Sequence, residues 1–259
     1  MNFNIFNTLI LLGTIQGFIF AGVVLFLKKY RSKSSYLMVI MITAVALNSL
    51  QYYLKDVGYI SYWNLMGIWY LPYATLNCTL LYLYTKTLLI PEYKIPLKEK
   101  LLFIPFVFFL LSTTVYKISL FKNPLDKNIE VNYENFANFH EIFAVFYSLF
   151  LVAMSYRIVL NYQKNSRNYN STIVQPKVIW LKVTLILLFV VVFIYAYLML
   201  KVVLNPQVPV NFYALWISNS FMIYWLGHIG IYKYGIQQER QNIRKYSLDK
   251  RVTVEIDSK

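Results

Sequence analysis

Seven stretches of this chain are each apolar enough, and close enough to twenty residues, to cross a lipid bilayer as a helix. They run from Ile5 to Leu27, Tyr36 to Leu54, Asn64 to Leu89, Leu101 to Lys117, Phe139 to Asn161, Val178 to Leu204, and Val208 to Tyr234. About 30 Å of hydrocarbon at a 1.5 Å rise per residue sets the required length near 20 residues. The fourth is the shortest, because Lys117 closes its clean apolar run, and Ile118 to Phe121 would extend it. Inside hydrocarbon every backbone N–H and C=O must be paired within the chain, so each run is expected to be helical. The expected fold class is all-α, an integral membrane bundle of seven transmembrane helices.

Composition agrees. Of 259 residues, 58% are hydrophobic and only 14% charged, with a mean hydropathy of +0.49. A soluble domain carries about a quarter charged residues. Cys78 is the single cysteine, so an intramolecular disulfide and a multi-thiolate zinc site are both excluded.

The positions of the charges orient the bundle. Segments 28–35, 86–100, 157–182 and 233–259 hold 20 of the 25 Lys and Arg, while Lys55, Lys117, Lys122, Lys127 and Lys201 fall in the alternate segments. With Asp56, Asp126, Glu130, Glu134 and Glu141 also on the sparse side, that side nets zero and the other carries the whole +14. This positive-inside alternation predicts an N-terminus outside and a C-terminus in the cytoplasm. It also accounts for a basic excess that would otherwise suggest nucleic acid, and no direct nucleic-acid binding by this chain is expected. Met1 to Phe6 has no cation and the charges follow the first apolar run, which is the reverse of a cleaved signal peptide. Residues 1–234 form the expected seven-helix domain and 235–259 a short basic cytoplasmic tail or linker.

Tyr52, Tyr53, Tyr59, Tyr62 and Trp63 at one edge, and Trp180, Tyr232 and Tyr234 at the other, suit headgroup level. The stretch Ile118 to Asn138 reads as a solvated outer loop containing Pro124, with a small lid as the alternative. Pro91 and Pro96 stiffen an inner loop. In the tail, Gly235 to Tyr246 would continue the seventh helix with Ile236 and Ile243 near one face. Arg251 to Ile256 alternates like one strand, which is not stable alone.

Ionisable groups at mid-depth are nearly absent, so chemistry has few places to reside. Neither a nucleophile–base pair nor a His-Glu-x-x-His spacing is present, and no enzyme activity, cofactor or metal is expected. His140 and Glu141 are adjacent, point about 100° apart on a helix, and lack a third ligand. What remains is neutral polarity: Gln16, Asn77 and Asn219 near span centres, Asn48 and Gln51 sharing one face of span two, and His228 in the last turns of span seven. Such groups either line a ligand pocket or join helices, the latter at about 0.6 kcal/mol per contact. Asn77-Cys78-Thr79 matches a glycosylation sequon but lies mid-span. Gly13, Gly17 and Ala21, four apart, form a groove for close helix approach, within the bundle or in a homodimer. Gly227 and Gly230 flank His228 and suit the same close packing.

Four pieces in order resemble a known family: Leu11 to Gly17, Leu80 to Leu88, Phe103 to Phe106, and Tyr224 to Tyr232. Together they resemble the N-terminal seven-span region of bacterial membrane-bound regulators that end in an AraC-type helix-turn-helix domain. Arg244 to Leu248 resembles the linker preceding that domain, and the DNA-binding domain itself is absent from this chain. The resemblance implies a multi-pass sensory module in the bacterial inner membrane, relaying a signal through helix seven to a cytoplasmic output domain or partner. A transporter or channel for a small solute is the alternative.

Overall fold

The computed structural model describes residues 3–59, 72–90, 93–123, 126–167, 175–205 and 210–228. They form seven helices: α1 (Ile5–Phe26), α2 (Lys33–Asp56), α3 (Tyr73–Leu89), α4 (Leu97–Lys122), α5 (Lys127–Arg167), α6 (Gln175–Leu204) and α7 (Tyr213–Trp225). No strand occurs among the described residues. α1, α2, α4, α5 and α6 are long and apolar enough to cross a membrane. α3 has 17 residues and α7 has 13, and both border residues outside the described set. The tail 235–259, Tyr62, Trp63, Pro91, Pro124, Gly230, Tyr232 and Tyr234 also lie outside the described residues.

Local chemistry fixes the helix ends. Asn4 and Asn7 cap α1 reciprocally: the Asn7 amide N–H donates to Asn4 Oδ1 at 2.8 Å, and the Asn4 N–H donates to Asn7 Oδ1 at 3.0 Å. At the far end Arg31 Nε donates to the Leu25 carbonyl at 3.0 Å, satisfying one of the orphan acceptors of the last turn. Ser32 then starts α2 by accepting from the Ser35 amide at 3.1 Å.

Within the expected outer loop from Ile118 to Asn138, residues 118–122 and 127–138 are helical. α4 runs on to Lys122 and α5 begins at Lys127, where Asp126 Oδ1 accepts from the Asn128 amide at 2.9 Å. The cause is an aromatic stripe at helical spacing. Tyr133, Phe136, His140 and Phe143 on α5 meet Phe109 and Tyr116 on α4, with centroid separations from 4.4 to 5.9 Å. Charged residues between them hide this stripe from a count of polar residues. α5 reaches 41 residues, about 61 Å at 1.5 Å per residue.

α3 is the central helix: every residue from Thr79 to Thr85 is buried, as only a helix surrounded on all sides can be. The main core joins Phe20 and Val24 of α1, Met38 and Ile42 of α2, Leu81 and Leu88 of α3, Val152 of α5, Leu181 of α6 and Ile223 of α7. α4 is peripheral. Over Ile104–Lys122 only Phe109 and Thr113 are buried, while Val107, Phe108, Leu111, Val115 and Ile118 face outward, as suits contact with lipid.

Two registers tie α1 to its neighbours. α2 runs antiparallel to it, with Asn7 reaching Asp56 and Gly17 lying against Ala46 and Ile42. α7 runs parallel to it. Phe6 stacks on Tyr213 at 5.1 Å, Gly13 abuts Ser220, and Phe20 abuts Gly227, the partners always separated by the same 207 positions. A seven-residue step on both helices keeps one seam facing inward over three layers. Bulk alternates across it, glycine against serine and then phenylalanine against glycine.

Candidate functional site

At the end of the bundle where α1 starts, three helices bring polar side chains together. The Tyr213 hydroxyl donates to the Asp56 carboxylate, at 2.8 Å from Oδ2 and 3.0 Å from Oδ1. Asn7 Nδ2 donates to Oδ2 at 3.3 Å, and Asn4 Nδ2 donates to the Tyr213 oxygen at 2.8 Å. Asn7 is wholly buried. The capping box that begins α1 is what aims both asparagines at α2 and α7.

Aromatic rings pack in a row beside this knot. Tyr213 lies between Phe6, stacked at 5.1 Å, and Tyr52, edge-on at 6.2 Å; Tyr52 also stacks on Trp216 at 5.0 Å. One turn deeper than Tyr52, Ser49 is wholly buried and its Oγ has no hydrogen-bond partner. The indole N–H of Trp216 is likewise buried without an acceptor. Buried polar groups are nearly always paired in folded proteins, so these two stand out.

A second polar cluster holds the α3–α4 connection. Lys86 donates to one oxygen of the Glu99 carboxylate and the Tyr93 hydroxyl donates to the other. The ammonium also lies 5.0 Å from the Tyr82 ring centre and 5.6 Å from that of Tyr93. Burial, with help from the hydrogen bond to Glu99, pushes the Tyr93 phenol up to about 12. Deeper, where α5 joins these two helices, its Tyr147 donates to the Leu102 carbonyl at 2.6 Å and Thr79 donates to it at 3.2 Å. That oxygen belongs to the 3-10 turn Leu101–Phe103, which precedes Pro105.

The sequence candidates are more dispersed. Gln16, Asn48 and Asn219 are half-buried on α1, α2 and α7. Gln51 is buried with its Nε2 unpartnered, and Asn77 has a buried, unpartnered Oδ1. No hydrogen bond among the described residues joins any two of these five amides. His228 is exposed and stacks on Tyr224 at 5.9 Å, beside a π turn over residues 226–228. Gly13, Gly17 and Ala21 are buried, with Gly13 and Gly17 against α7 and α2. His140 packs on Phe109, and no group of three potential metal ligands occurs among the described residues.

Sequence reasoning missed Asn4, Asn7, Asp56 and Tyr213 as a unit. Their contacts span 49 to 209 positions, and no local pattern announces such pairings. The one available signal is Asn4 and Asn7, three apart just before an apolar run, which marks a helix start. No family model, no curated protein and no solved structure matches this chain.

Proposed function

We propose that this chain is the sensory module of a multi-pass bacterial inner-membrane protein, with seven spans, its N-terminus outside and its C-terminus in the cytoplasm. A signal received at the Asn4 end shifts α7, and the shift biases a cytoplasmic output domain or partner following the bundle. The observation that carries this reading is the parallel α1–α7 seam. It connects a hydrogen-bonded cluster at one end of the bundle to the Gly227–His228 turn at the other, through three close contacts in fixed register. Parallel first and last helices fit an odd number of crossings, and the one-sided basic charge fits the orientation. The AraC-type resemblance supports a transcriptional output.

Cysteine labelling tests it. His228→Cys in a Cys78→Ser chain, in inverted membrane vesicles, would react with an impermeant maleimide. The added substitution Asp56→Asn or Tyr213→Phe should change that labelling rate several-fold. Equal rates in all three would overturn the relay.

A small-solute transporter is the second reading. It is favoured by the unpartnered polar atoms inside the bundle, Ser49 Oγ, Gln51 Nε2, Asn77 Oδ1, the Tyr195 hydroxyl and Trp216 Nε1. Chain-dependent uptake into sealed vesicles would establish it.

A further inference from the structure

We propose that the start of α4 is a binding surface for anionic phospholipid, with Lys94, Lys98 and Lys100 meeting the headgroup phosphate and Leu97, Leu101 and Ile104 lying against the acyl chains. The proposal needs α4 to cross a bilayer, as its length and composition allow, and does not rest on the sensory reading.

The charges come first. Residues 94–100 carry three lysines and one acid, Glu99. Both oxygens of that acid are engaged, one by Lys86 of α3 and the other by the Tyr93 hydroxyl. Lys94, Lys98 and Lys100 are exposed, and no ion pair among the described residues joins any of them to an acid. Uncompensated lysines beside a bilayer attract anionic headgroups.

The apolar residues divide between protein and lipid. Ile95, Leu102 and Phe103 pack on Tyr82 and Leu83 of α3 and Leu151 of α5, which fixes the segment in place. Leu97, Leu101 and Ile104 are instead 74%, 52% and 57% exposed, and steps of four and three residues put them along one side of a helix. The same steps continue through Phe108, Leu111 and Val115, all exposed. None of these six is small, whereas helices that meet within lipid favour Gly, Ala, Ser or Thr at the contact. The face therefore suits acyl chains better than a second helix.

Depth gives an independent reason. α3 and α4 run antiparallel, and Thr79, ten residues before α3 ends at Leu89, donates to the carbonyl of Leu102, five residues into α4. At 1.5 Å per residue, α4 thus starts about 7 Å short of the level where α3 ends. Lys98 and Lys100 begin inside that level, so their stems must extend along lipid toward the headgroups. A phosphate drawn in to meet them gains a charge-assisted hydrogen bond.

The test is fluorescence of the full chain carrying Cys78→Ser and Leu97→Cys, labelled with bimane and reconstituted in phosphatidylcholine bilayers. Brominated phosphatidylglycerol or brominated phosphatidylcholine is then added at equal mole fraction. Bromine quenches on contact, so the two quenching curves give the relative affinity of the two lipids for this place. Phosphatidylglycerol should be favoured at least threefold at low salt. Lys98→Gln with Lys100→Gln should bring the ratio close to one while both lipids still quench, which shows that α4 remains in the bilayer. Lys122→Gln with Lys127→Gln removes the same charge beyond the other end of α4, from exposed positions, and should leave the ratio unchanged. A ratio of one in the starting chain, a ratio unmoved by Lys98→Gln with Lys100→Gln, or an equal fall in the Lys122→Gln with Lys127→Gln chain would each overturn the proposal. Absence of quenching by both lipids also overturns it, and is the result expected where a second copy of the chain covers this face.

Discussion

Gly13 of α1 and Ser220 of α7 meet so closely that a methyl group added to the glycine would stand 2.3 Å from the serine Cβ. That distance lies well inside van der Waals contact, so the two helices must separate to admit it. Gly13→Ala is therefore expected to destabilise the bundle by about 1–3 kcal/mol, the range for forced overpacking. Gly22, on the same helix, meets only the Phe26 ring at 3.9 Å. Gly22→Ala should be neutral or stabilising by up to about 1 kcal/mol, from helix propensity alone. Unfolding of both variants in mixed detergent micelles measures the contrast.

The next contact along the seam is more demanding. A Cβ on Gly227 would fall 1.7 Å from the Phe20 ring. Gly227→Ala should be poorly folded, and Phe20→Ala should partly rescue it by opening the space. A double-mutant cycle should return a coupling of about 0.5–3 kcal/mol, typical of residues in contact. A coupling near zero would mean that the two helices are not in this register.

Removing the Tyr213 hydroxyl takes from the Asp56 carboxylate a donor at 2.8 Å, which Asn7 Nδ2 supplements at 3.3 Å. Tyr213→Phe is expected to cost about 1–3 kcal/mol, as for hydrogen bonds to a charged group. Asn7→Ala removes the Asn7 donor and the capping-box acceptor of the Asn4 N–H, while Asn4, the N-cap itself, stays in place and still accepts from the residue 7 amide. Thermal unfolding in detergent would rank the two.

The Tyr93 phenol, raised to about 12 by burial and its bond to Glu99, should remain un-ionised well above an ordinary tyrosine. Its contribution to stability is then fully present below pH 10 and lost as pH rises through about 12. The ultraviolet difference titration between parent and Tyr93→Phe should show one phenol ionising near 12; ionisation near 10 would mean that the Tyr93–Glu99 hydrogen bond is not made.

A reporter active only in the periplasm, fused after Lys259, should be silent, and the same reporter fused within residues 123–126 should be active. The reverse pattern would invert the bundle.

Much of the helical framework is legible in the apolar runs, and Gly13 and Gly17 announce a close approach without naming the helix that makes it. α4 and α5 run past their expected ends because Tyr133, Phe136 and His140 pack at three- and four-residue steps among Glu130, Glu134 and Asn138. A reading by polarity weighs the charges, whereas the fold follows the aromatic face. Asp56 presents the opposite problem. In the sequence it is one acid in a charge count, and only folding sets it against Tyr213, 157 positions away. The isolated mid-span amides drew attention because polarity in hydrocarbon is conspicuous, yet the connected hydrogen bonds form at the helix ends.

The length of α5 makes this chain a gauge of its surroundings. Between Glu141 and Arg157 the helix carries no formal charge, and at 1.5 Å per residue those two positions stand about 24 Å apart. Typical hydrocarbon is about 30 Å thick. To keep both charges in water, α5 must stand nearly upright, extend its charged side chains toward the headgroups, or thin the lipid beside it. Each added pair of methylenes in the surrounding acyl chains then strains this helix. Membrane composition thereby enters the energetics of the protein through the spacing of two residues.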